Sequence, residues 1–106
     1  MILVTQIYKI TRKFPKEELF GLTSQIRRCS ISIPSNIAEG YGRSSDPEML
    51  RFLNIAVGSL FELQTQLEIA YNIEYIEIET FNSLYATTRE LEIMIISFSN
   101  KIKERR

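Results

Sequence analysis

The side chains that could do chemistry in this chain are carboxylates, guanidiniums, amides and hydroxyls, because histidine is absent and there is one cysteine. Without histidine, the commonest general base and metal ligand are missing, and no Ser-His or Cys-His nucleophile can form. One cysteine cannot build a zinc site. Gly40-Tyr-Gly42 lacks the preceding strand and the following Lys-Ser/Thr of a phosphate-binding loop. We therefore expect no catalytic residue, metal, cofactor or small-molecule substrate.

Carboxylates are the remaining candidates for metal chemistry. Glu39 and Glu62 could both face the interior of a helical bundle. Di-metal bundles, however, also need Glu-x-x-His motifs on two further helices, and this chain has none. We interpret the two acids as buried partners of arginine side chains.

A polar stripe with steps of three and four residues lies on one side of a predicted helix: Gln25, Arg28, Ser32, Asn36, Glu39 and Arg43. Its arginines could bind phosphate, and its amides could bond to bases or to a protein. We favour a structural polar network, because Glu39 and Arg43 are spaced for an ion pair and Ser32 could satisfy a backbone group freed by Pro34. An interface with a partner is the alternative.

A cluster of five cations lies within seventeen residues around the first helix junction: Arg12, Lys13, Lys16, Arg27 and Arg28. Such residues bind nucleic acids mainly through phosphates, without reading sequence. Lysines near a turn are also commonly just solvated. No aromatic stacking partner is interleaved, because we assign Phe14 to a hydrophobic staple and Phe20 to the core.

Composition indicates one ordinary globular domain over residues 1–106, with 44% apolar and 25% charged residues. The net charge is zero, so whole-chain electrostatics indicate neither a nucleic-acid nor a membrane partner. The charge is nevertheless segregated: residues 1–51 hold eight basic and five acidic side chains, and residues 52–100 hold one and seven. This pattern could present a basic face to phosphate, or it could pair helices or subunits of opposite charge, which we favour.

The chain has no recognisable targeting signal. Residues 1–10 are too short and too polar for a signal sequence, and the longest uncharged runs cannot span a bilayer. Cys29 lies among apolar positions and is expected to be buried and reduced. We expect a cytoplasmic protein that does not bind membranes.

Helical periodicity predicts four helices. The first covers residues 2–13 and ends before Pro15. The second begins at Pro15 or Lys16 with an apolar seam from Leu19, is kinked near Pro34, and ends at Gly40 and Gly42 in the left-handed conformation.

The third helix is predicted over residues 47–72, with Asp46 as its N-cap and proline at its first position. The fourth runs over residues 77–104, and the basic tail Lys101–Arg106 is expected to fray. Short connections make neighbouring helices antiparallel, so the predicted fold is all-α: an antiparallel up-down-up-down four-helix bundle with a short first helix.

The short first helix leaves an apolar surface to cover. It would measure about 18 Å against about 40 Å for the long helices, so one end of the bundle lacks its fourth wall. We expect either another subunit to cover that surface, or the natural protein to extend upstream of Met1.

Four stretches resemble the four-helix-bundle proteins encoded in the intervening sequences of bacterial 23S ribosomal RNA. They are Phe14-Pro-Lys-Glu-Glu18, Gly21-Leu-Thr-Ser-Gln-Ile-Arg-Arg28, Ser32-Ile-Pro-Ser-Asn-Ile-Ala-Glu-Gly40 and Phe52-Leu-Asn-Ile-Ala-Val-Gly-Ser-Leu-Phe-Glu-Leu-Gln-Thr-Gln-Leu67. The chain departs from the family pattern at its start, where members usually have a longer first helix with a tryptophan, a residue type that this chain lacks.

The resemblance implies a homopentameric ring without known catalytic activity. The chain is also similar to the accessory protein of diversity-generating retroelements, which binds nucleic acid and a reverse transcriptase.

Two hypotheses about function follow. In the first, a non-enzymatic homo-oligomer binds structured RNA through Arg12, Lys13, Arg27, Arg28 and Arg43, with Lys16 beside them. In the second, the chain is a protein-binding or structural oligomer without a nucleic-acid ligand. Its arginines would then pair with Glu62, Glu68 or a neighbouring subunit.

Overall fold

The chain folds into four α-helices. The structure, a computed structural model, describes residues 1–105; Arg106, the end of the predicted tail, lies outside them. The helices are α1 (Ile2–Thr11), α2 (Leu22–Tyr41), α3 (Asp46–Asn72) and α4 (Ile78–Glu104), with a 3₁₀ turn at Lys16–Glu18 between α1 and α2. Residues 1–105 contain no strand, so the predicted all-α class and the short first helix are confirmed.

Contacts between the helices show that successive long helices run in opposite directions. Later residues of one helix contact earlier residues of the next: Cys29 contacts Ser59 and Gly40 lies against Met49 between α2 and α3, and Gln64 contacts Glu92 and Asp46 contacts Arg105 between α3 and α4. This is the arrangement that short connections impose on long helices.

All four helices contribute to one apolar core. Its most completely buried large side chains are Leu3 and Ile7 of α1, Ile26 and Ile33 of α2, Leu53, Leu60, Leu63 and Leu67 of α3, and Ile102 of α4. These positions recur at three- and four-residue steps, which is why the seams of α2, α3 and α4 could be recognised in the sequence. Leu19 is an exception: it was expected on the seam of the second helix, but it is 50% exposed.

The second helix begins later than predicted. Residues 16–18 form a 3₁₀ turn, and α2 starts at Leu22. One carboxylate oxygen of Glu18 accepts a hydrogen bond from the Leu22 amide at 3.2 Å, and the other accepts one from the Tyr75 hydroxyl at 2.8 Å. Glu18 thus supplies an N-terminal hydrogen bond for α2 from outside the helix, and Leu19 falls in the turn rather than on the seam.

The end of α2 also differs from expectation. The helix continues through Pro34, so the chain does not break there. Gly42, however, has a φ of −80° and is not left-handed. Gly40 is needed for packing instead: a Cβ atom there would lie 3.3 Å from the Phe52 Cβ and 3.4 Å from the Met49 carbonyl oxygen. Glycine lets α2 and α3 approach closely at this point.

Three further boundaries were wrong. The first helix ends at Thr11, because the amides of Lys13 and Phe14 bond back to the carbonyls of Ile10 and Thr11 in a tight turn. The N-cap of α3 is Ser45, whose hydroxyl accepts from the Glu48 amide at 3.4 Å; Asp46 is the first helical residue. Residues 101–104 do not fray but stay helical, since Ile102 is buried and Arg105 donates to Asp46 at 2.8 and 3.2 Å.

The fourth wall of the bundle is incomplete. At 1.5 Å per residue, the 10 residues of α1 span about 15 Å and the 27 residues of α4 about 40 Å. Gln6 and Ile10 of α1 border the same depression as Glu79 and Thr80, so α1 lies beside the beginning of α4. Farther along α4, Met94 is 64% exposed.

Two glycine substitutions test this packing. Gly58 is exposed in the middle of α3 with open space around its Cβ position, so Gly58→Ala should raise the free energy of unfolding by about 1 kcal/mol. Gly40→Ala should lower it by about 1–3 kcal/mol, because the new methyl group meets Phe52. Urea unfolding followed by circular dichroism measures both changes, and equal effects of the two substitutions would contradict the close approach of α2 to α3.

Candidate nucleic-acid interface

The first helix junction is fixed to the connection between α3 and α4 by two contacts. The Phe14 ring, which is buried, lies 5.2 Å from the Tyr75 ring between their centroids, at 52°. The Tyr75 hydroxyl also donates to Glu18. The end of α1, the 3₁₀ turn and the start of α2 are therefore held together by the connection between α3 and α4.

Arg27 connects α2 to α1. Its Nε donates to the Thr11 hydroxyl at 2.8 Å, and its guanidinium carbon lies 4.7 Å from the centroid of the Tyr8 ring. The Thr11 hydroxyl in turn donates to the Ile7 carbonyl at 2.7 Å. These contacts fix the guanidinium in position before any ligand arrives.

The three elements enclose an open depression of about 400 Å³, which we call the junction depression. It is lined by the cations Arg12, Lys16 and Arg27 and by the apolar Phe14, Pro15 and Leu19, together with two threonines, and no carboxylate lines it. Within residues 1–105 the salt bridges join Arg43, Arg89 and Arg105 to acids, so none neutralises these three cations. The result is a local excess of positive charge beside an apolar floor.

The other predicted phosphate ligands lie elsewhere. Lys13 borders a second depression together with Glu77, and Arg28 is exposed. Arg43 is sixteen residues beyond Arg27 along the chain, or about 24 Å on a helix. Its guanidinium pairs with Glu39 at 2.6 Å and covers the Phe52 ring at 4.7 Å, so its charge is already compensated.

Most of the polar stripe forms hydrogen bonds between or along helices. The Ser32 and Ser59 hydroxyls are 2.8 Å apart, and the Asn36 amide donates to the hydroxyl and the carbonyl of Ser32 at 2.9 and 2.8 Å. We had expected Ser32 to bond to a backbone group freed by Pro34, but its hydroxyl bonds across to α3 instead. Gln25 and Arg28 are exposed, and their side chains make no hydrogen bond within residues 1–105. Ser59, whose only sequence signal is a small polar residue beside an apolar seam, was missed.

Glu39 and Glu62 do not face inward, which corrects our interpretation. Both are exposed, and only Glu39 pairs with an arginine. Glu62 accepts a long hydrogen bond from the Cys29 thiol at 3.6 Å. No group of three or more acidic or cysteine side chains that could hold a metal ion occurs within the described residues.

The Cys29 thiol is buried and protonated. Its sulfur donates to the Ser59 carbonyl at 2.9 Å. Burial, reinforced by the Glu62 carboxylate, raises the pKa of Cys29 from 9.0 to about 12. A thiol that stays neutral is a poor nucleophile and a poor metal ligand, so Cys29 is structural.

A buried polar cluster between α3 and α4 also went unpredicted. The Gln64 side-chain amide donates to Glu92 at 3.0 Å, and Arg89 donates to both oxygens of the same carboxylate at 3.0 and 2.9 Å. The sequence signal for it was Gln64, a polar residue on the apolar seam of α3. These bonds satisfy the buried acid and fix the pairing of the two helices.

Phe20 contradicts its predicted place in the core. Its side chain is 93% exposed, in the turn just before α2, next to the half-exposed Leu19. Periodicity placed it inside the second helix, but that helix has not yet begun at residue 20. Phe14, in contrast, is buried, and its ring lies against Tyr75.

Fold and site together define the class of the protein: an all-α four-helix bundle with a cationic depression at one end. Within residues 1–105, no helix is both long and apolar enough to cross a membrane. The model of the 23S rRNA-intervening sequence protein family matches residues 1–97, and the chain belongs to that family.

A solved structure agrees with this assignment. The chain is similar to a protein of unknown function from the S23 ribosomal protein family of Bacteroides thetaiotaomicron, with a TM-score of 0.85 and 26% identity. The similarity covers 92% of this chain and 91% of the other. A comparison with curated protein sequences finds no match.

Thiol labelling tests the environment of Cys29. A pKa of about 12 instead of 9.0 lowers the thiolate fraction about a thousandfold below pH 9, so iodoacetamide should label the folded protein far more slowly than the urea-unfolded one. The folded state gains stability from the protonated thiol below pH 9 and loses it as the pH rises toward 12. Urea unfolding of the wild type and Cys29→Ala should therefore show a stability difference that shifts against the wild type above pH 9.

Proposed function

We propose that this protein is a non-enzymatic, cytoplasmic bundle that binds RNA through the junction depression. One observation carries the proposal: Arg12, Lys16 and Arg27 come from three different elements and border one depression that no carboxylate lines. Cations that converge without acidic partners are suited to a phosphate-bearing ligand.

Two considerations favour RNA among the phosphate-bearing ligands. The family takes its name from an intervening sequence of 23S ribosomal RNA, and this name connects it to RNA. Arg28 and Lys13 are exposed on the same stretch of chain as the three lining cations, and an extended polyanion could reach them as well. The binding would be local, because the chain as a whole carries no net charge.

The second candidate is a protein-binding or structural homo-oligomer, a pentamer by family resemblance. Large apolar side chains that remain exposed favour it: Ile55, Phe61 and Ile69 on α3, and Ile93, Met94 and Ile96 on α4. Exposed apolar residues in this number on two long helices are typical of interaction surfaces. The incomplete wall beside α1 adds to the surface that a second copy could cover.

Salt-dependent titration tests RNA binding. Three phosphate contacts predict that the affinity for single-stranded RNA falls with a logarithmic salt slope of about −2. Arg12→Ala with Lys16→Ala should weaken binding at least about tenfold and flatten the slope by about 1.4, because two of those contacts are lost. Both residues are exposed, so the fold should be unchanged by circular dichroism.

The matched control is Arg51→Ala with Lys101→Ala. It removes the same charge from exposed positions at the opposite end of the bundle and should leave affinity and slope unchanged. Equal losses in the two double variants would point to diffuse attraction and argue against the junction depression.

Analytical ultracentrifugation tests the second candidate. The wild type should sediment as an oligomer, and Phe61→Asp with Ile69→Asp should shift it toward the monomer, because two exposed apolar side chains are replaced by charges. Thr65→Asp, on the same exposed part of α3, adds a charge without removing apolar surface and is the control. A monomeric wild type would remove the support for this candidate.

A further inference from the structure

Phe20 is the most exposed of the large apolar side chains in the described chain, at 93%. It directly follows Leu19, which lines the junction depression, so its backbone lies beside that depression, although its ring is not part of the lining. The turn also carries two acids: Glu17, which is exposed, and Glu18, whose carboxylate is held by the Tyr75 hydroxyl. An apolar ring fully in water beside a cationic site calls for a ligand that offers both negative charge and a flat apolar face.

The turn that carries Phe20 is held on both sides. Before it, the carboxylate of Glu18 is bound by Tyr75 at 2.8 Å. After it, the Gly21 amide donates to the Glu18 carbonyl at 2.9 Å and the Leu22 amide donates to the Glu18 carboxylate at 3.2 Å. The backbone of Phe20 is thus fixed within a network that reaches the connection between α3 and α4.

The floor of the depression adds a second apolar element. Phe14, Pro15 and Leu19 share the lining of the depression with the cations Arg12, Lys16 and Arg27. A volume of about 400 Å³ is at the scale of sites that hold small organic groups, and it exceeds what a lone phosphate needs. Duplex RNA presents its phosphates outward but keeps the faces of its bases stacked on one another. Duplex RNA could therefore contact the cations, but its bases could not contact the apolar lining of the depression or the Phe20 ring.

We propose that the junction depression selects unpaired nucleotides, with Phe20 as the platform on which a base stacks. This inference rests on the proposed function and names its substrate class: single-stranded or looped RNA instead of duplex. The cations hold the backbone phosphates, and an aromatic face accepts any base, so the preference is for unpaired structure and not for sequence.

Fluorescence anisotropy on the full chain tests the preference. Three labelled RNAs with equal numbers of phosphates are compared: a single-stranded oligouridylate, a hairpin with a large loop, and a blunt duplex. The wild type should bind the first two about tenfold more tightly than the duplex.

Three variants separate the ring from the cations. Phe20→Ala should remove the preference for unpaired RNA while leaving duplex affinity and salt slope unchanged. Phe20→Tyr keeps an aromatic face and should retain the preference. Ile2→Ala removes another exposed apolar side chain, away from the junction, and should have no effect.

The possible failures are separable. Equal, salt-sensitive binding of all three RNAs would overturn the stacking role and leave the proposed function standing. Absence of binding to every RNA would overturn the proposed function, and the inference with it. Phe20→Ala could also change the sedimenting mass while the preference for unpaired RNA over duplex stays. That result would assign the ring to a contact between proteins and would overturn the inference.

Discussion

The apolar seam between α2 and α3 is the constraint on which the rest of the structure depends. Ile26 and Ile33 of α2 and Leu53, Leu60 and Leu63 of α3 are almost completely removed from water. Their burial provides the main driving force for the fold. It also brings the backbones so close that a side chain at position 40 would crowd Phe52 and Met49. Once these two helices are locked together, the positions of α1 and α4 follow from short connections.

The same close approach explains which polar groups the seam tolerates. Ser32, Ser59 and Cys29 are small, and each finds a hydrogen-bond partner across or along the seam. Larger polar side chains such as Gln25 and Arg28 remain in water at its edge. Burial keeps the single thiol of the chain protonated and therefore a poor nucleophile.

The junction between α1 and α2 is chemically different because the bundle ends there. The chain must turn twice within ten residues, between Thr11 and Leu22, and it does so around Phe14 and Glu18. Most of the acids in the chain lie on α3 and α4, whereas six of the eight cations of residues 1–51 fall between Lys9 and Arg28, near this end. A protein with no net charge can in this way present a local positive surface, even though Glu17 and Glu18 lie in the same turn.

The sequence by itself determined the number of helices, the seams of α2, α3 and α4, the burial of Cys29 and the family, because spacing within one helix and ordered residue stretches are local properties. It did not determine that α2 starts at Leu22, where the amide donates to a Glu18 carboxylate that is also bound by Tyr75, fifty-seven residues away. Nor did it determine which cations meet. Arg27 reaches the depression through Thr11 on another helix, whereas Arg43 is carried to the far end of α2. The exposure of Phe20 follows from the same late start: residue 20 lies in a turn instead of on a helix face, because periodicity alone does not fix the residue at which a helix begins.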